Sequence, residues 1–82
     1  MVESFTGRIN TDEEFKVLET EANITFTVGK VYTMQVYDSC YLKVADAEFF
    51  LDKEKLQYKA GSDDLYIKTS NLGCLIAILE EE

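Results

Sequence analysis

Histidine and proline are absent from this 82-residue chain, and basic residues are scarce. Without histidine, no Ser–His or Cys–His nucleophile pair can form, nor can a histidine-bearing zinc site. The two cysteines, Cys40 and Cys74, stand far apart without CxxC spacing and cannot complete a structural zinc site alone. They read as two reduced, buried thiols, although sequence by itself leaves a disulfide open. The four glycines, at positions 7, 29, 61 and 73, are isolated, so there is no glycine-rich phosphate loop. Carboxylate pairs occur at Asp63-Asp64 and at Asp52 with Glu54. Both fall in turn-like runs, where acids are solvated or bonded to the backbone. The run Gly61-Ser62-Asp63-Asp64 lacks the ligand spacing of a calcium loop. The expectation is a protein without catalytic residues, cofactor or metal.

Sixteen acids face eight bases, a formal net charge of −8. A protein that grips phosphates needs a basic stripe, and single lysines scattered from Lys16 to Lys68 make none. Direct nucleic-acid binding is therefore not expected. The acids gather at Asp12, Glu13, Glu14, Glu19 and Glu21 and again at Glu80–Glu82. They read as a solvated surface, and nothing spaces them like the phosphates of a DNA mimic.

The longest apolar run, Cys74–Leu79, is far short of the ~20 residues that span a bilayer. Met1-Val2-Glu3-Ser4-Phe5 has neither a basic nor an apolar leader segment, so no signal peptide and no membrane partner are expected. Eighty-two residues suit one domain, 1–82, with a small core whose stability is modest or shared between subunits.

Period-two alternation dominates the chain. Ile24, Phe26 and Val28 alternate with Asn23, Thr25 and Thr27, and after Gly29-Lys30 come Tyr32, Met34 and Val36. A two-residue loop would put these two apolar sets on opposite faces. A three-residue loop, Val28-Gly29-Lys30, pairs Phe26 with Tyr32 and Ile24 with Met34 on one face. Otherwise the two strands belong to different sheets. Further strands are expected at Phe5–Ile9, Phe15–Leu18, Tyr41–Val44, Lys55–Lys59, Leu65–Lys68 and Cys74–Leu79. Ala45–Asp52 reads either as a helical turn or as a strand entering a turn. The fold class is all-β, a small antiparallel β-sandwich or barrel of about seven or eight short strands.

Two features carry the functional reading. In the final strand, Cys74, Ile76 and Ile78 share one face, while Leu75, Ala77 and Leu79 line the other. A strand apolar on both faces is central and covered twice, either within the chain or by a second subunit. Leu75, Ala77 and Leu79 are thus candidate oligomer-interface residues. The other feature is aromatic content: five tyrosines and five phenylalanines, 12% of the chain. Most must build the core, and those left outside would serve an interface or a sugar platform.

ITFTVGKVYTMQV, followed by AGSDDLYIKTSNLGCLIAILEE, resembles small virion-associated structural proteins of bacteriophages and prophages. Thr27–Gln35 and Gly61–Lys68 carry the likeness, and Cys74–Glu81 matches the expected short apolar strand ending in acids. About half of the chain is covered. The N-terminal dozen residues have no counterpart, and Asp38–Asp52 fits poorly. The resemblance implies a small β-sandwich that decorates a capsid, forms part of a head fibre or sits near the head–tail joint. It implies a location on the virion, or in the host cytoplasm before assembly. The resemblance implies that its partners are copies of itself, as a trimer, and other virion proteins. It supplies no functional residues. Residues 1–12, with Phe5 and Ile9 among polar neighbours, form either a flexible arm gripping the shell or an ordinary first strand. Two alternatives stand beside this reading: a monomeric carbohydrate- or cell-surface-binding module, and an acidic inhibitor or regulator of a basic partner.

Overall fold

The structure, a computed structural model, describes residues 4–81. Where β-branched and aromatic residues alternate with polar ones, strands form: β1 (Ser4–Ile9), β2 (Lys16–Val17), β3 (Val31–Val36), β4 (Ser39–Val44), β5 (Ala47–Asp52), β6 (Lys55–Lys59), β7 (Leu65–Lys68) and β8 (Cys74–Glu80). One short helix, α1 (Leu18–Ala22), interrupts them. The strands make two four-stranded sheets, β1-β8-β3-β6 and β2-β7-β4-β5, here called sheets A and B. Every pairing is antiparallel. This is a sandwich rather than a barrel, and its strand order is that of a double-sheet jelly roll.

The core lies between the sheets. Sheet A contributes Ile9, Tyr32, Met34, Val36, Cys74, Ile76 and Ile78, and sheet B contributes Cys40, Leu42, Leu51, Leu65 and Ile67. Alternation sets these faces. With Cys74, Ile76 and Ile78 inward, Leu75, Ala77 and Leu79 must point out. Cys40 and Cys74 are free thiols buried in opposite sheets. Leu18 and Ala22 of α1 are buried, and the helix packs against β1, β2 and β7.

Two expectations change. Residues 23–30 form no strand, so the hairpin pairing Phe26 with Tyr32 and Ile24 with Met34 does not exist. Both edges of β3 are already occupied: Tyr32 lies opposite Tyr58 of β6 and Glu80 of β8. The segment instead follows α1 through Asn23, a left-handed C-cap, and crosses the Tyr32 side chain, whose hydroxyl accepts the Thr27 N–H at 2.7 Å. Ile24 is buried, Phe26 packs edge-on against Tyr32, and Val28 is exposed. The strand expected at Phe15–Leu18 shrinks to Lys16–Val17, because Leu18 begins α1. Of the two readings of residues 1–12, an arm or an ordinary first strand, the described part follows the strand. Ser4–Ile9 is β1, hydrogen-bonded along β8, with Ile9 buried and Phe5 packed on the core, and residues 10–12 lead out of it as a loop. Residues 1–3 lie outside the described residues. The ambiguous stretch resolves as a strand, β5, at the free edge of sheet B.

Candidate functional site

Sheet B carries the most chemically varied surface. The sequence Tyr-x-Lys occurs twice, at Tyr41-Leu42-Lys43 and Tyr66-Ile67-Lys68. In each, the middle residue is buried, so Tyr and Lys point outward. The two copies pair antiparallel, with Tyr41 opposite Lys68 and Lys43 opposite Tyr66. β5 adds Phe50 opposite Tyr41, their ring centroids 5.0 Å apart and the planes tilted by 51°. The Lys68 ammonium lies 4.7 Å from the Tyr41 centroid and 4.9 Å from that of Phe15, and Lys43 approaches Phe15 at 5.5 Å. The rings supply the attraction that a carboxylate would otherwise give. Among the described residues the only ion pair is Arg8–Asp38, at 3.6 Å. Neither lysine is therefore in an ion pair among the described residues, although Glu48 of β5 stands opposite Lys43.

Beside this ladder opens a cleft of about 400 Å³ whose lining includes Tyr41, Phe50, Lys68, Glu13, Ser39 and Ser70. Glu13 reaches it because the loop after β1 is pinned. The Glu13 N–H donates to the Thr69 carbonyl at 2.9 Å, and Thr11 and Thr69 bond each other reciprocally. Asp12 and Glu13 hold left-handed backbone conformations, φ 52° and 65°. Conformations of this kind persist only where surrounding contacts impose them.

The outer face of sheet A is different in character. Leu75, Ala77 and Leu79 lie in its middle, with Leu79 51% exposed. Thr6 and Gln35 flank Ala77, and Ser4 and Thr33 flank Leu79. Arg8, exposed, lies opposite Leu75, and Lys55 and Lys59 of β6 stand beyond β3, so the neutral part of the face is the group around Ala77 and Leu79. The Glu81 carboxylate rims the patch, accepting from the Thr33 hydroxyl and from the Gln57 amide. Phe5 and Ile9 belong to the same sheet but face inward, so they do not join Leu75, Ala77 and Leu79 on this surface.

A third opening separates edge strands β5 and β6, an apolar slot of about 420 Å³ lined by Leu42, Val44, Phe49, Leu51, Leu56 and Tyr58 among others. Burial pushes the Tyr58 phenol above its ordinary range. In the core, the hydrogen bond to Cys74 and burial together raise the Cys40 thiol well above the usual value. Among the described residues no three Cys, Asp or Glu side chains converge as a metal site.

The sequence points to the face of Leu75, Ala77 and Leu79 but not to the sheet B ladder. The repeated Tyr-x-Lys is the signal that would have found it, since alternation alone sends all four side chains to one side once the strands are paired. Compared with known protein families, with curated proteins and with solved structures, the chain matches none.

Proposed function

We propose that this chain is a non-enzymatic assembly protein that self-associates through the outer face of sheet A, as a structural component of a phage or prophage particle. The observation that carries self-association is the outward apolar row Leu75, Ala77 and Leu79, with the neutral neighbours Ser4, Thr6, Thr33 and Gln35 beside Ala77 and Leu79. The charges neighbouring this patch are Arg8, opposite Leu75, the β6 lysines Lys55 and Lys59, and Glu81 at its rim. In a chain of net charge −8, it is a surface where two copies meet with little acid–acid repulsion. Interface cores are likewise depleted of charge. A ring of copies formed through such a face would be closed by cyclic symmetry. The virion assignment draws on the resemblance of Gly61–Lys68 and Cys74–Glu81, which here are β7 with its preceding turn and β8. Thr27–Gln35 supports it less, because that stretch is a turn and one strand instead of a strand pair. Double-sheet jelly rolls recur in viral capsid and lectin domains; this is a likeness of architecture and assigns no residue.

Light scattering after size exclusion, at several protein concentrations, tests self-association. A closed oligomer that Leu79→Arg or Ala77→Arg converts to folded monomer is expected. A monomer at every concentration overturns it.

A further inference from the structure

We propose that the cleft on the outer face of sheet B is a saccharide-binding site with a preference for a carboxylated sugar. Exposed aromatic rings beside fixed polar groups suit a ligand that is apolar on its C–H faces and polar around its rim. Tyr41 and Phe50 are 40% and 55% exposed, and they are held side by side by strand pairing. Their 51° tilt forms a corner. A puckered sugar ring can rest its C–H groups on both walls, whereas a flat nucleobase stacks on only one. Around this corner stand the hydroxyls of Ser39 and Ser70, the Glu13 carboxylate and the Lys68 ammonium. They supply both donors and acceptors, as vicinal hydroxyls require.

Charge narrows the class. Glu13 and Lys68 line one cleft without forming an ion pair, so each keeps its bonding capacity for a ligand. Lys68 is fixed between the Tyr41 and Phe15 rings, and Lys43 lies near the same Phe15 ring. Glu48 stands opposite Lys43, whereas Lys68 has Tyr41 and no acid opposite it on β4, so Lys68 is the cation that favours an anionic group beside the aromatic corner. A carboxylate fits this arrangement better than a phosphate, since among the described residues Lys68 is the only cation lining the cleft and Glu13 shares it. The site is also preorganised: its floor is two paired strands, and its Glu13 wall is tied to Thr69.

The test is a ¹H–¹⁵N titration of the labelled full chain with glucuronic acid, N-acetylglucosamine and AMP at millimolar concentrations. Shifts confined to the amides around Ser39, Tyr41, Phe50, Lys68 and Ser70 are expected with both sugars, larger at equal concentration for glucuronic acid. Phe50→Ala, an exposed position, should abolish binding of both while the remaining spectrum shows a folded protein. Lys68→Gln should weaken glucuronic acid about tenfold and leave N-acetylglucosamine nearly unchanged. Absence of shifts at these amides with either sugar overturns the inference, as does tighter binding of AMP at the same place. Self-association and sugar binding use opposite faces, so each can fail without the other.

Discussion

Thr11 and Thr69 clasp each other: the backbone N–H of each donates to the side-chain oxygen of the other, at 2.9 and 2.8 Å. Both residues are buried. They join the loop that follows β1 to the end of β7, and so link an edge strand of one sheet to a central strand of the other. Threonine is the residue for this task, because its hydroxyl lies close enough to its own backbone to accept from a neighbour whose hydroxyl returns the favour.

Thr69→Val keeps the shape and removes the acceptor for the buried Thr11 N–H. It should cost about 1–3 kcal/mol in urea unfolding, the penalty of a buried donor left without a partner. Because Glu13 hangs from the same segment, the variant should also weaken ligand binding in the sheet B cleft. A loss within experimental error would show that the clasp is replaced by water.

Two glycines with positive φ separate conformational strain from steric contact. At Gly29 (φ 91°) an added Cβ meets nothing, whereas at Gly73 (φ 82°) it comes within 3.0 Å of the Ile9 carbonyl oxygen. Gly29→Ala should cost about 1–2 kcal/mol for the left-handed backbone alone. Gly73→Ala should cost distinctly more, because backbone at the end of β1 must give way. Equal losses in thermal or urea unfolding would contradict the close approach of Gly73 to β1.

Cys40 makes stability fall at alkaline pH. Its bond to Cys74 and its burial raise its pKa in the folded state above the ordinary 9.0, while the same bond lowers Cys74 to about 7. Stability therefore rises with pH between about 7 and 9 through Cys74 and falls above 9 through Cys40. Once pH exceeds that ordinary value, the unfolded chain releases the proton while the folded chain keeps it. The contribution is therefore complete below pH 9.0 and is lost as pH rises above it. The limiting slope is about 1.4 kcal/mol per pH unit. Urea unfolding of the wild type and of Cys40→Ala across this range should show the steeper alkaline decline in the wild type. Parallel curves would refute the shift.

Local pattern was enough to place most strands. It failed where a pattern had no edge to pair with. Ile24 and Phe26 alternate with threonines as strand residues do, and they do bury apolar surface, with the Phe26 ring 4.8 Å from that of Tyr32. Alternation reports which side chains turn inward, but a ladder also needs a free neighbour, and β3 has none to offer. Phe49-Phe50-Leu51 was ambiguous for a related reason: at a sheet edge even the inward-facing Phe49 stays half exposed, so the polar–apolar contrast fades. The outward face of β8 was legible because both its faces are apolar within one short run. The sheet B cleft was not, since it joins Glu13, Tyr41, Phe50 and Lys68 from four separate stretches. Their meeting depends on the long-range register of β4 with β5 and β7.

The central position of β8 governs the order in which the molecule can be built. β8 lies between β1 and β3, yet of the eight described strands it is the last to leave the ribosome. Until Cys74–Glu80 emerges, β1 has no partner in its sheet and β3 has one side open. Sheet A must then close by pairing segments from opposite ends of the described chain, a topology that folds slowly. In that interval a nascent chain is competent to accept β8 from a neighbouring copy instead of its own. Chains made close together on one message would thus be able to exchange β8, linking copies by a shared sheet before any finished surface meets another.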